Sequence, residues 1–158
     1  MNTIDAGMHR SRCAKAPHPV LLIDGTPLEM WAKGIISSDA LGTDSTDTLV
    51  PAQGWLIDES DLQNAWYLLE PKDQNSSTIV PVLICPDDMD MSCTVAVVEQ
   101  QVDTQKVSWL RIGRATDVRN GIVVSVEWEM PSQKAVFDKA AFRAAVDELK
   151  RLTDEEWL

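Results

Sequence analysis

Hydrophobic and polar positions alternate along this chain in short blocks, and the period changes from block to block. Val20-Leu21-Leu22-Ile23 is a continuous apolar run closed by Asp24-Gly25, the pattern of a buried strand and a turn. Thr26-Pro27-Leu28-Glu29 then has the form of a helix start: Thr26 as cap, Pro27 at the first helical position and Glu29 reaching back as a capping box. Leu28, Trp31 and Ile35 would share one face of that short helix, which ends near Gly34. Residues 37–48 are polar and aperiodic and read as a loop; 49–57 reads as a short extended segment broken by Pro51 and Gly54. A second helix follows, with Ser60 as cap, Gln63 closing the box, and Leu62, Ala65, Trp66 and Leu69 on one stripe up to Pro71.

The second half has the shorter period of strands. Residues 78–85 are apolar and β-branched, with Pro81 marking an edge or a bulge. Residues 92–102 and 106–113 form a hairpin joined by Asp103-Thr104-Gln105. Residues 121–130 alternate cleanly: Ile122, Val124, Val126, Trp128 and Met130 one way, Val123, Ser125, Glu127 and Glu129 the other. One buried face per strand implies an antiparallel sheet whose other face is wet. The last helix is capped by Asp138 and buries Phe142, Ala145, Val146, Leu149 and Leu152. Strands and helices do not alternate regularly. The expected fold is therefore α+β, a single domain with a mainly antiparallel sheet of about four to five strands and about three helices on one face. Residues 1–17 carry no periodic pattern and read as a flexible N-terminal arm before a domain over 18–158.

Composition changes this picture little. The 158 residues are 44% hydrophobic, enough for one core. Six Trp against one Tyr and two Phe point to core margins and a binding face. Cys13, Cys85 and Cys93 make an odd count with no framework spacing, so Cys85 and Cys93 are expected as reduced thiols. No stretch is apolar enough for a membrane span, and residues 1–16 lack the core of a signal peptide. The expected compartment is the cytoplasm.

Candidate chemistry is sparse. Asp87, Asp88 and Asp90, between Cys85 and Cys93, offer oxygen ligands to a hard cation, but the spacing lacks the Gly and terminal Glu of an EF-hand. The simpler account is an Asp-rich turn whose side chains bond their own backbone. A hydrolytic site needs a positioned imidazole. His9 lies in the arm, and His18, between two prolines, reads as a solvent-exposed residue ahead of the first strand. No Gly-rich phosphate loop and no zinc spacing occurs. No catalytic residue, metal or cofactor is assigned.

Charge carries the functional expectation. The net charge of −11 disfavours nucleic acid. It is also unevenly placed: residues 21–104 hold fifteen acids and two bases, whereas 105–158 hold nine of each. A block of one sign steers an oppositely charged partner and speeds its association. The sequence thus points to a non-enzymatic domain that binds a basic protein, in the concrete form of an immunity or inhibitor protein neutralising a nuclease-type bacterial toxin. The partner-binding residues expected are Asp58, Glu59, Asp61, Asp87, Asp88, Asp90, Glu127 and Glu129. Two alternatives stand beside it: a metal-binding or hydrolytic domain built on the Cys85–Cys93 turn, and a subunit of a larger assembly with Trp31, Trp55 or Trp157 at the contact. Oligomeric state is left open.

Overall fold

The computed structural model describes residues 1–33, 46–72, 76–130 and 134–157. Ile35, Gly34 and most of the 37–48 loop lie outside them. The fold is α+β, with two antiparallel sheets of three and six strands rather than one sheet of four or five.

The smaller sheet is built at the N-terminus. β1 (Ile4–His9) pairs antiparallel with β2 (His18–Ile23), from Ile4↔Ile23 to His9↔His18. Residues 1–17, read from the sequence as an arm, therefore contain a strand. Its own apolar signal is weak, Ile4 being its one buried residue; the strongly apolar β2 supplies the template. The end of the strand is tied down as well. Asp24 accepts hydrogen bonds from the Thr3 amide (2.7 Å) and the Asn2 side chain (2.8 Å), which hold its carboxyl below the usual range. Asp24 and Gly25 both take positive φ, 51° and 81°, closing a tight turn onto β3 (Thr26–Pro27). The capping box expected at Thr26 and Glu29 does not form. Thr26 and Pro27 extend as a strand, α1 (Leu28–Lys33) begins after them, and the Glu29 side chain turns inward to complete burial.

The larger sheet runs β4 (Val50–Pro51), β5 (Thr78–Ile84), β6 (Val95–Val102), β7 (Lys106–Arg119), β8 (Ile122–Trp128), with β9 (Ala135–Asp138) paired to the start of β7. The expected hairpin is β6–β7, and its turn is fixed by Asp103 Oδ1, which accepts from the amides of Gln105 and Lys106 (both 2.7 Å). Pro81 does sit at an irregularity, in register with Val97 just before the shift. The strand carrying it is nonetheless internal, between β4 and β6. Alternate residues of β6 feed two separate apolar clusters, Val95 and Val97 on one side, Ala96 and Val98 on the other. The sheet is thus covered on both faces, and helices lie on both, contrary to the one-sided arrangement expected from the strand patterns.

One face carries α2 (Ala52–Trp55) and much of α3 (Glu59–Leu69); the other carries α4 (Lys139–Trp157), which also packs on β1 and β2. Asp138 caps α4 as expected, accepting from the Ala141 amide at 3.0 Å. The α3 cap is Asp58 rather than Ser60, accepting from Asp61 N at 2.9 Å. At the centre of the core Trp109 is 1% exposed, edge-on to Phe137 at 5.1 Å. Its indole N–H donates to Gln100 (2.9 Å), whose amide donates to the Leu69 carbonyl (3.1 Å), joining the end of α3 to the sheet.

β8 departs most from its pattern. Ile122, Val124 and Met130, expected inside, are 62%, 54% and 76% exposed, while Val123, Val126 and Trp128 pack against the core. Register shifts at Asp117 switch which side chains face inward partway along the strand. The hairpin before it turns at Asn120-Gly121, with φ of 53° and 77°.

Candidate functional site

Three parts of the structure gather polar chemistry. The first is buried. The β1–β2 register places the two histidines of the chain opposite each other, and α1 brings Glu29 beneath them. Glu29 Oε1 meets His9 Nδ1 and lies 3.1 Å from Ser11 Oγ. Ser11 Oγ is 2.6 Å from His18 Nε2, and the Ser11 amide donates to the same nitrogen at 3.3 Å. His18 Nδ1 faces the Pro19 carbonyl at 3.1 Å. A carbonyl only accepts and an amide N–H only donates, so Nδ1 carries the hydrogen and Nε2 is bare. Burial pushes the His18 pKa down, which fits that neutral ring.

His18 is therefore not the solvent-exposed residue expected: it is 2% exposed and hydrogen-bonded on both nitrogens. Ser11, His18 and Glu29 have the residue types of a hydrolytic triad, but Ser11 and Glu29 are 1% and 0% exposed. A nucleophile must reach its substrate, and this hydroxyl is sealed behind the ring. What the cluster does is join the first seventeen residues to α1. Thr46 extends it by donating to the Glu29 carbonyl at 2.9 Å. Glu29 Oε2 has no hydrogen-bond partner among the described residues.

The second part is a cavity of about 500 Å³ on the outer side of His18, lined among others by Cys13, Lys15, His18, Trp55, Asp87 and Met89. The His18 and Trp55 rings meet edge-on at 5.6 Å. The cavity joins the 13–18 segment to the third part, the acidic turn.

That turn follows β5. Met89 takes a positive φ of 53°, its amide donates to the Cys85 carbonyl (3.1 Å), and its carbonyl accepts from Ile57 N (3.0 Å). The Ile57 contact fastens the turn to the residue before the α3 cap. The start of α3 and the 87–90 turn, thirty residues apart in sequence, thus form one face. Asp61 shows how close they are: burial first, then the charges of Asp58 and Asp90, push its carboxyl above its usual range. The tip of the β7–β8 hairpin closes against it, because a side chain at Gly121 would meet the Asp61 carboxylate. Asp90 is held below its ordinary value by the hydroxyl and amide of Ser92.

Of the eight acids expected to bind a partner, the structure brings Asp58, Asp61 and Asp90 together, with Glu59, Asp87 and Asp88 exposed around them. None of these six is ion-paired among the described residues. Glu127, on β8, and Glu129, just past its end, stand apart. Glu127 already meets Arg114 at 3.4 Å, and Glu129 is held through its amide to the Ile112 carbonyl. Other acids of the charged block are absorbed internally: Glu29 in the cluster above, Asp47 by Lys33 (3.1 Å) and Arg12 (3.7 Å), and Glu99 by Arg111 (2.7 Å).

Among the described residues no three His, Cys, Asp or Glu side chains gather as metal ligands, and no helix is long and apolar enough to cross a membrane. Trp31, one of the three tryptophans expected at a contact, packs on Trp109 at 5.7 Å and stays partly exposed. Sequence reasoning missed the buried cluster; two histidines within nine residues of each other, flanking a serine, were its one visible sign. No protein-family model matches the chain, and no curated protein or solved structure matches it.

Proposed function

We propose that this chain is a non-enzymatic protein-binding domain that presents an acidic face to a basic partner, as an immunity or inhibitor protein of a nuclease-type toxin would in a bacterial cytoplasm. The supporting observation is the convergence of Asp58, Asp61 and Asp90 into one unneutralised patch, with the Asp61 carboxyl raised first by burial and then by the charges of Asp58 and Asp90. Like charges held together cost stability, and a cationic partner removes that cost on binding. Ile57 is 67% exposed beside the patch and gives the face an apolar anchor among its acids. The acids of β8 contribute to the surrounding field rather than to the patch.

The test uses the basic nuclease-type protein expected to be encoded beside this chain. Replacing Asp87, Asp88 and Asp90 together by Asn is expected to lower the association rate about tenfold at low salt and to flatten its salt dependence. The same variant should protect cells poorly against that nuclease. Equal rates and equal salt slopes for the two proteins would overturn the reading.

One observation favours a second reading, that of a subunit in an assembly. β8 is an edge strand of the larger sheet, and Ile122 and Val124 expose their side chains along it. Sedimentation across a hundredfold concentration range decides it: a constant monomer mass removes this reading.

A further inference from the structure

The Cys85–Cys93 segment holds a feature that the acidic face does not use. Cys85 directly follows β5 and is 6% exposed; Cys93 lies two residues before β6 and is exposed. The register Ile84↔Val95 brings these strand ends together, and the Cys85 thiol hydrogen-bonds Cys93. The intervening chain is folded back by the bond from the Met89 amide to the Cys85 carbonyl. Two thiols in contact just beyond the end of an antiparallel pair are placed for a bond between them, and one is open to reagent from solvent.

We infer that Cys85 and Cys93 form a reversible dithiol–disulfide site, which takes a small organic disulfide of the glutathione type as its oxidant and closes the acidic turn into a covalent loop. The exchange balances in two steps. The Cys93 thiolate attacks one sulfur of the disulfide; a Cys93–glutathione bond forms, the original S–S bond breaks, and the first glutathione thiolate leaves and takes up a proton. Cys85, as thiolate, then attacks Cys93 Sγ. The mixed bond breaks, and the second glutathione thiolate leaves and is protonated. Two protein thiols have lost two electrons and two protons, and one disulfide has become two thiols.

The geometry orders the steps. Cys93 is the entry because it is exposed, and Cys85 is the resolving thiol because it touches Cys93 from inside. Burial, then the hydrogen bond that the Cys85 thiol donates to Cys93, pushes the Cys85 thiol up to about 11. At neutral pH it is almost wholly protonated, so the second step accelerates with pH. The closed loop spans residues 85–93 and contains Asp87, Asp88 and Asp90. Oxidation would therefore fix the geometry of half the acidic patch, whatever that patch binds.

The experiment uses the full chain carrying Cys13→Ser, which removes the third, exposed thiol. It is reduced and then incubated with excess oxidised glutathione from pH 7 to 9, with intact mass and peptide mapping as readouts. The expected course is a transient glutathione adduct on Cys93 that converts to a Cys85–Cys93 crosslink, reversible by dithiothreitol. Conversion should quicken about tenfold per pH unit. Cys85→Ser in the same background should stop at the adduct. A persistent adduct on Cys93 across the whole pH range, or an intermolecular Cys93 dimer as the main product, would overturn the proposal. Mapping of the Cys13→Ser protein alone carries the test if the buried Ser variant does not fold.

Discussion

Glu29 and Asp61 set the same chemical group in opposite circumstances. Glu29 is fully buried, and the fold sets His9 against its Oε1, with Ser11 Oγ alongside at 3.1 Å. Asp61 is half-buried on the surface, and the fold surrounds it with further acids, Asp58 and Asp90. A buried carboxylate without donors would cost several kcal/mol, and the N-terminal strand brings a partner to one of its two oxygens, Oε1. The surface acids are hydrated at little cost and can be left unpaired. Formal charge alone therefore does not mark a binding face. Of the acids in the 21–104 block, those at Glu29, Asp47 and Glu99 hold structure together, and those around Asp58, Asp61 and Asp90 carry no ion pair among the described residues.

That contrast can be broken most directly at Glu29. Glu29→Ala should destabilise the fold by about 3 kcal/mol in urea titrations, through the lost donors' partner and the space left behind. A loss under about 1 kcal/mol would mean that the cluster is not a structural joint. The same joint should give a pH signature. His18 takes up its proton near 6.5 when unfolded and only at lower pH when folded, because burial disfavours the charged ring. Between those values the unfolded chain binds more protons, so stability falls as pH drops below about 6.5. His18→Gln should abolish that limb. The lowered carboxyls Asp24, Asp90, Glu99 and Asp103 give a separate limb, reached only within the acidic range where carboxylates protonate.

Smaller effects probe the surface member of the comparison. Gly121→Ala places a side chain at positive φ against Asp61 and should cost about 1.5 kcal/mol, read as a lowered urea midpoint. Asp58→Ala removes the α3 cap and should cost about 1 kcal/mol, whereas Asp58→Asn keeps the cap and should be close to neutral. The smallest change should have the opposite sign. Asp61→Asn removes a carboxylate that its neighbours oppose, and should raise the melting temperature by about 1 °C at low salt and by nothing measurable at 1 M salt. A destabilised Asp61→Asn protein would show that the patch is held by contacts rather than strained by repulsion.

Much of the fold could be read locally. Asp138 as the cap of α4, the stripe from Phe142 to Leu149, the Asp24-Gly25 and Asp103 turns and the Pro81 irregularity depend on short-range rules, and each is found in place. What failed locally did so for stated reasons. β1 has one buried apolar residue and exists because β2 pairs with it. The inward side of β8 is decided by register shifts in its pairing with β7, one skipping Thr116 of β7 and one skipping Val124 of β8, which strict alternation within 122–130 does not reveal.

For the candidate site the division is similar. The sequence by itself determined the excess of acid between Leu21 and Thr104, the Asp-rich turn, and the absence of a cationic stretch to neutralise them. Only tertiary structure decided which acids share a face, because residues distant in sequence meet through one backbone hydrogen bond between Ile57 and Met89. It likewise decided that His9, Ser11, His18 and Glu29 form one buried cluster, since strand register and helix placement are set by the burial of many distant side chains at once.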